Sequence, residues 1–233
     1  MYLYLVIFAA YFRKSAVEFI LYVFDFIIHI DKHLSEIIAN YQFWTYLILF
    51  IIIFAETGFV VTPFLPGDPL LFAAGALIAG GGTGLNIYLL ALLLIIAAVA
   101  GNQVNYFLGN YFGPKVFKPE NRILKYSYYE KTQVFFLKHG GKSVVFSRFF
   151  PVLRTFVPFV AGVIKMPISK FSYYNVTGAL VWIIGFLFLG YLFGNLDFVK
   201  NNFSWVILII SLFTTLPPII GAIYAKKSDN KAA

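Results

Sequence analysis

The 233-residue chain has no cysteine and only three histidines, and 12% of its residues are charged. Without cysteine there is no disulfide framework, thiolate metal site or cysteine nucleophile. His29 and His33 stand at i, i+4 and could share a metal, but no third ligand is in view, so neither metal nor cofactor is expected. No phosphate-binding loop is present either: the glycines of residues 80–84 are flanked by apolar runs instead of a strand and a helix. Hydrolysis of a phosphate ester calls for a nucleophile beside a base. Thr57, Thr62, Ser147 and Thr155 have no base at a readable spacing, and the histidines lie outside the apolar runs, so an enzyme is not expected. The formal charge of +8 could suggest nucleic acid. The basic residues fall between hydrophobic runs, however, where they report membrane topology and anionic headgroups, and no nucleic-acid partner is expected.

What is abundant is apolar: 61% of residues are hydrophobic and 20% aromatic, a composition of the membrane class. The predicted fold is all-α, a polytopic membrane protein. Residues 1–12 are apolar but shorter than the ~20 residues of a spanning helix, and read as a surface anchor. Over residues 14–39, Glu18, Asp25, His29, Lys32 and Glu36 form one helical stripe opposite Phe19, Tyr22, Phe26 and Ile30, which predicts an amphipathic interfacial helix. Residues 1–40 thus form an N-terminal region, 41–225 the membrane domain and 226–233 a basic tail.

Four spanning helices are predicted, over residues 42–62, 85–113, 171–196 and 203–225. Two further apolar stretches are interrupted. Glu56 to Pro69 contains Pro63, Pro66, Gly67 and Asp68, and residues 147–162 contain Arg148, Pro151, Arg154 and Pro158. Proline breaks helices, and broken backbone at membrane depth survives only inside protein or along a watery cavity. Both stretches are therefore predicted as re-entrant hairpins, at about 56–82 and 144–164. Residues 114–142 carry seven basic residues against Glu120 and Glu130, which marks a cytoplasmic loop. With four spans and two hairpins, Arg13, Lys14, Lys32, Lys165, Lys170, Lys226 and Lys227 then also face the cytoplasm, and both termini are cytoplasmic.

An internal repeat fits this scheme. Phe64-Leu-Pro66-Gly67-Asp68 with Ala74-Gly75 precedes a helix ending Leu108-Gly-Asn-Tyr-Phe-Gly113. Phe149-Phe-Pro151-Val-Leu-Arg154 with Ala161-Gly162 precedes one ending Leu189-Gly-Tyr-Leu-Phe-Gly194. One hairpin entering from each side makes an inverted repeat, an arrangement that places a transport site near the midplane.

The ionisable residues embedded in membrane-type sequence are Glu56, Asp68, Arg148 and Arg154. Unpaired at mid-bilayer they would cost on the order of 10–14 kcal/mol, so they must pair or face water. Salt bridges that merely pin the hairpins are one reading. The functional reading is a cavity in which Arg148 and Arg154 bind an anion and Glu56 and Asp68 couple it to protons. Arginine suits phosphate through its planar fork, and a carboxylate that loses its arginine to phosphate takes up a proton. A lipid phosphate and protons are then the expected partners, with self-association left open.

The ordered motifs resemble the DedA family of bacterial membrane proteins, related to the VTT-domain lipid scramblases. The resemblance rests on Glu56, the Phe64–Gly75 motif, Gly101-Asn102 with Tyr106, Gly109 and Gly113, His139-Gly140, the Ser147–Gly162 stretch, and Asn175, Gly178 and Trp182. It implies two opposed hairpins with essential acidic and arginine residues, mapping onto Glu56, Asp68, Arg148 and Arg154. It also implies a role in carrying undecaprenyl phosphate or a related phospholipid across the bacterial inner membrane, driven or gated by the proton-motive force. Some members look instead like proton-dependent cation or drug antiporters; a non-transporting membrane scaffold is a third reading.

Overall fold

The structure, a computed structural model, describes Asp25, residues 29–59 and 67–116, Phe136 and residues 140–213. Among these residues every element is a helix: α1 (Ile30–Tyr41), α2 (Trp44–Gly58), α3 (Gly67–Gly80), α4 (Ile87–Val116), α5 (Lys142–Ser147), α6 (Pro151–Val163), α7 (Ile168–Phe193), α8 (Asp197–Asn201) and α9 (Phe203–Phe213). The all-α expectation holds. The 1–12 anchor, Pro66, most of the basic 114–142 loop and the 226–233 tail lie outside the described residues.

Two helices are long and apolar enough to cross a membrane, over Ile87–Phe112 and Ile168–Phe193, 26 residues each. At 1.5 Å per residue each reaches about 39 Å, beyond the ~30 Å hydrocarbon core. The first is capped by Asn86, whose Oδ1 accepts from the Tyr88 and Leu89 amides at 2.9 and 3.1 Å. The remaining apolar helices are shorter. Three of them lead into or out of the proline-broken stretches, and two of their prolines sit where a helix tolerates them. Pro69 lies in the first turn of α3 and Pro151 opens α6, positions whose amides have no intrahelical acceptor. Pro158 stands inside α6 and is buried.

Helix α3 is enclosed on all sides, with Gly67 through Ala76 all buried. It packs on α7, and α6 packs on α4. The two contacts match residue for residue. Gly75 lies on the Leu187 carbonyl and the Tyr191 amide, and Gly190 on the Phe72 carbonyl; correspondingly, Gly162 lies on the Tyr106 carbonyl and the Asn110 amide, and Gly109 on the Phe159 carbonyl. The repeated Leu-Gly-x-x-Phe-Gly endings are therefore helix-contact sites, where the missing Cβ lets backbones touch.

Contacts along the bundle fix where each short helix begins and ends. The Asn86 amide donates to Tyr46 Oη at 2.6 Å, so α2 begins beside the start of α4; it ends where Gly58 meets Gly101. Helix α3 begins beside Trp182 and ends with Gly80 against Asn195. The outer ends of α2 and α3 thus share one end of the bundle with residues 81–86 and 194–202. Helix α1 joins them there, where Ser35, Ile38 and Ala39 line a cavity of about 450 Å³ with Thr83, Asn195 and Lys200. At the other end, Gly141 lies against Tyr174, and Tyr106 donates its hydroxyl proton to the Met166 carbonyl just after α6.

Two sequence expectations are corrected here. The helix predicted over 42–62 stops at Gly58, with Phe59 extended (φ −111°, ψ 125°), and 15 residues reach only about 22 Å. Its second half is drawn into the bundle by Glu56, whose carboxylate pairs with Arg154. The link between the spans predicted over 171–196 and 203–225, given no element in the sequence reading, contains the short helix α8.

The matched glycine contacts make a direct prediction. Gly75→Val and Gly162→Val should each destabilise the protein by about 1–3 kcal/mol through overpacking. Gly185→Ala, where the added Cβ meets nothing within 4 Å, should leave stability unchanged or raise it slightly. Thermal unfolding in detergent reads the difference.

Candidate functional site

The tips of the two broken stretches meet at the centre of the bundle. Glu56 comes from the last turn of α2, and Asp68 from the first turn of α3, where a carboxylate suits the positive end of the helix. Arg148 lies between α5 and α6, and Arg154 in the first turns of α6. All four are buried, at 2%, 3%, 0% and 1% exposure. Gly67 belongs to the same assembly: the Glu56 carboxylate occupies the space a Cβ there would fill.

Arg154 is the hub. Its Nη1 donates to Glu56 Oε1, its Nη2 to Asp68 Oδ1 at 2.8 Å, and its Nε to the Arg148 carbonyl at 3.1 Å. Asp68 Oδ1 also accepts from Trp182 Nε1 at 2.7 Å. The Trp182 ring lies beneath both guanidiniums, with Cζ of Arg154 4.5 Å and Cζ of Arg148 5.9 Å from the ring centroid, within reach of cation–π attraction.

Arg148 is held differently. Its Nη2 donates to Asn175 Oδ1 at 2.6 Å, the Ala98 carbonyl at 3.2 Å and the Asn175 carbonyl at 3.3 Å, all neutral acceptors. Asn175 is itself fixed: its Nδ2 donates to the Val99 carbonyl at 3.0 Å, and its Oδ1 accepts from Asn102 Nδ2 at 3.1 Å. Among the described residues Arg148 makes no ion pair, and its Nε and Nη1 have no hydrogen-bond partner. Three N–H donors of a buried cation are therefore unused.

The structure brings together all four charged residues singled out in the sequence, but it divides them into a triad and a separate arginine. Gly67, Gly75, Pro151, Pro158 and Gly162 fall at the tips or contact faces of the two broken stretches, and Pro66 lies outside the described residues. The Thr57 and Ser147 hydroxyls donate to helix carbonyls, of Ile53 at 2.8 Å and Val144 at 3.0 Å. Sequence reasoning gave no role to Asn175, Trp182 or Asn105, whose Nδ2 donates to the Thr155 carbonyl at 2.6 Å. The available signal was an amide or indole group in an apolar run, which costs free energy unless it is bonded.

All of the site but Glu56 lies within a recognised domain. The VTT domain family matches residues 65–192, which include Asp68, Asn102, both arginines, Asn175 and Trp182. The Escherichia coli protein DedA is 46% identical over 217 residues, 93% of this chain and 99% of that protein. This chain belongs to the DedA family. An uncharacterized membrane protein of Mycobacterium tuberculosis, Rv0364, is 38% identical over 75% of this chain and 77% of its own length. The E. coli inner membrane protein YqjA is 34% identical over 64% and 68%. No solved structure matches. As a DedA-family chain with two span-length apolar helices, this is a membrane protein.

Its buried triad should behave as one unit. Arg154→Met strands two carboxylates and should cost about 3–5 kcal/mol, whereas Glu56→Gln/Asp68→Asn/Arg154→Met, which removes every charge of the triad, should cost less than the single change. Unfolding in mixed micelles measures both, and a triple-variant loss equal to the sum of the single losses would rule the coupling out.

Proposed function

We propose that the protein is a transporter that carries a phosphate-bearing lipid, undecaprenyl phosphate or a phospholipid, across the bacterial inner membrane, linked to the proton-motive force. The observation that carries the reading is Arg148, a buried guanidinium with neutral partners and three unused donors. A phosphate offers acceptors in the spacing of a guanidinium edge. The cluster of two carboxylates and two arginines sums to zero. An entering anion makes it negative, and a proton taken up by Glu56 or Asp68 restores balance, which links anion movement to protons. In this reading the Thr57 and Ser147 hydroxyls, which donate to helix carbonyls, serve the scaffold.

The same reading assigns the topology. Helices α2 and α3 together form one re-entrant hairpin, Trp44 to Gly80, with its tip at Glu56 and Asp68. Helices α5 and α6 form the other, Lys142 to Val163, with its tip at Arg148 and Arg154. Their outer ends lie at opposite ends of the bundle, so the hairpins enter from opposite faces and the repeat is inverted. This revises the hairpin boundary at residue 56 and makes α2 a hairpin limb in place of a full span. Helix α1 then shares a face with residues 81–86 and 194–202, the periplasmic face if the 114–142 loop is cytoplasmic.

A proton-dependent cation antiporter is the second reading, favoured by the two carboxylates that share Arg154. Proteoliposomes separate the two. The lipid reading expects flux of a fluorescent phosphate lipid that falls at least tenfold in Arg148→Ala and stops when the proton gradient is collapsed. Cation-induced proton release without lipid flux would favour the antiporter.

The cysteine-free chain also allows a clean topology test. Single cysteines at Ser35, Thr83 and Asn195 should label with an impermeant maleimide from one face, and cysteines at Gly140 and Lys165 from the other. Labelling of Ser35→Cys from the same face as Gly140→Cys would restore the full span over 42–62.

A further inference from the structure

Arg148 keeps its charge free because of what holds it. A buried arginine in a membrane protein would ordinarily be neutralised by a carboxylate, as Arg154 is by two. Arg148 is anchored by the side-chain amide oxygen of Asn175, by that residue's backbone carbonyl and by the Ala98 carbonyl. These acceptors all gather on Nη2. They orient the guanidinium plane without cancelling its charge, and they leave the Nε and Nη1 edge unengaged. Gly178 lets the Arg148 side chain pack close against α7, since a Cβ there would stand 3.1 Å from Arg148 Cδ and 3.2 Å from Nε.

We propose that Asn175 sets the charge selectivity of the site: a neutral clamp on Arg148, it reserves one positive charge for an anionic, phosphate-class ligand to neutralise. The inference rests on the transport reading above and deepens it. Asn175 is a positioning residue, acting through Arg148. Its amide is irreplaceable by its own isostere, because a carboxylate 2.6 Å from Nη2 would supply from within the protein the negative charge that the ligand otherwise brings. The Asn102 amide supports it from the other side. In the other orientation of that amide, which gives up the bond to Asn175 Oδ1, its oxygen lies 3.1 Å from Arg148 Nη2 and its nitrogen 3.2 Å from the Thr57 carbonyl, again a neutral acceptor for the guanidinium.

The test compares charge with shape. The full-length protein in maltoside micelles, with Trp44→Phe and Trp205→Phe so that Trp182 is the sole tryptophan, is titrated with dodecyl phosphate and, separately, with inorganic phosphate. Trp182 fluorescence reports occupancy, because its ring lies 5.9 Å from Arg148 Cζ. Dodecyl phosphate is expected to bind more tightly than inorganic phosphate, in keeping with a lipid-borne headgroup. Asn175→Asp is expected to bind dodecyl phosphate at least tenfold more weakly than Asn175→Ala, although aspartate preserves the shape that alanine destroys. A merely structural role predicts the reverse order, and equal affinities in the two variants would also overturn the proposal while leaving the transport reading intact. If Asn175→Asp does not fold, Asn175→Glu against Asn175→Gln carries the same expectation, the charged variant binding at least tenfold more weakly, and the same overturning result. Absence of dodecyl phosphate binding to the Trp182-only protein would sink the phosphate reading itself, and this inference with it.

Discussion

The structure depends on the burial of Arg154 between Glu56 and Asp68. A guanidinium in membrane-class surroundings has to find negative charge, and here the two carboxylates lie 98 and 86 residues away in sequence. Bringing them together forces the tips of both broken stretches to the centre of the bundle. That demand explains several features at once: why α2 stops at Gly58, why α3 is buried all round at its start, and why Gly67 has no side chain where the Glu56 carboxylate rests.

Around this centre the scaffold is repeated, but the chemistry is not. The pairing of α3 with α7 and of α6 with α4 uses equivalent glycines against equivalent carbonyls. Carried along the helices, that register sets Arg154 opposite Gly67 and Thr155 opposite Asp68. The smallest residue in one half therefore corresponds to one of the largest in the other. A symmetric pair of tips would place like charges together, whereas the divergence gives one tip two acids and the other two arginines. The repeat supplies a frame in which two tips can meet, and the difference between the tips makes the meeting favourable.

Much of this was legible in the sequence. The long spans followed from uninterrupted apolar runs, the four central charges from their isolation within such runs, and the glycine contacts from the repeated Leu-Gly-x-x-Phe-Gly endings. The end of α2 was not legible. The sequence stays apolar past Gly58, and the reason the helix ends there is a partner on α6 that no local window contains. The division of labour between the arginines was equally hidden. Arg148 and Arg154 look alike in sequence, and only the fold puts Asn175 beside one and both carboxylates beside the other. Trp182 stood out in the sequence only through the family resemblance, without a role, because its indole hydrogen bond to Asp68 joins residues 114 positions apart.

The separation of the arginines bears on how a transport site of this kind would work. With Arg154 held by two carboxylates, the triad carries a net negative charge and Arg148 the opposing positive one, so the buried cluster is neutral as a whole. A phosphate that pairs with Arg148 disturbs that balance by at least one charge. In a medium of low dielectric, the cheapest correction is a proton on one of the carboxylates sharing Arg154, since one acid is enough to keep that arginine paired. In the proposed transport reading, a singly charged phosphate and one proton would enter together as a neutral load, and release of either would favour release of the other. Proton linkage in this reading needs no separate proton channel or relay. It follows from placing three charges in one closed group and leaving the fourth to be matched by the ligand.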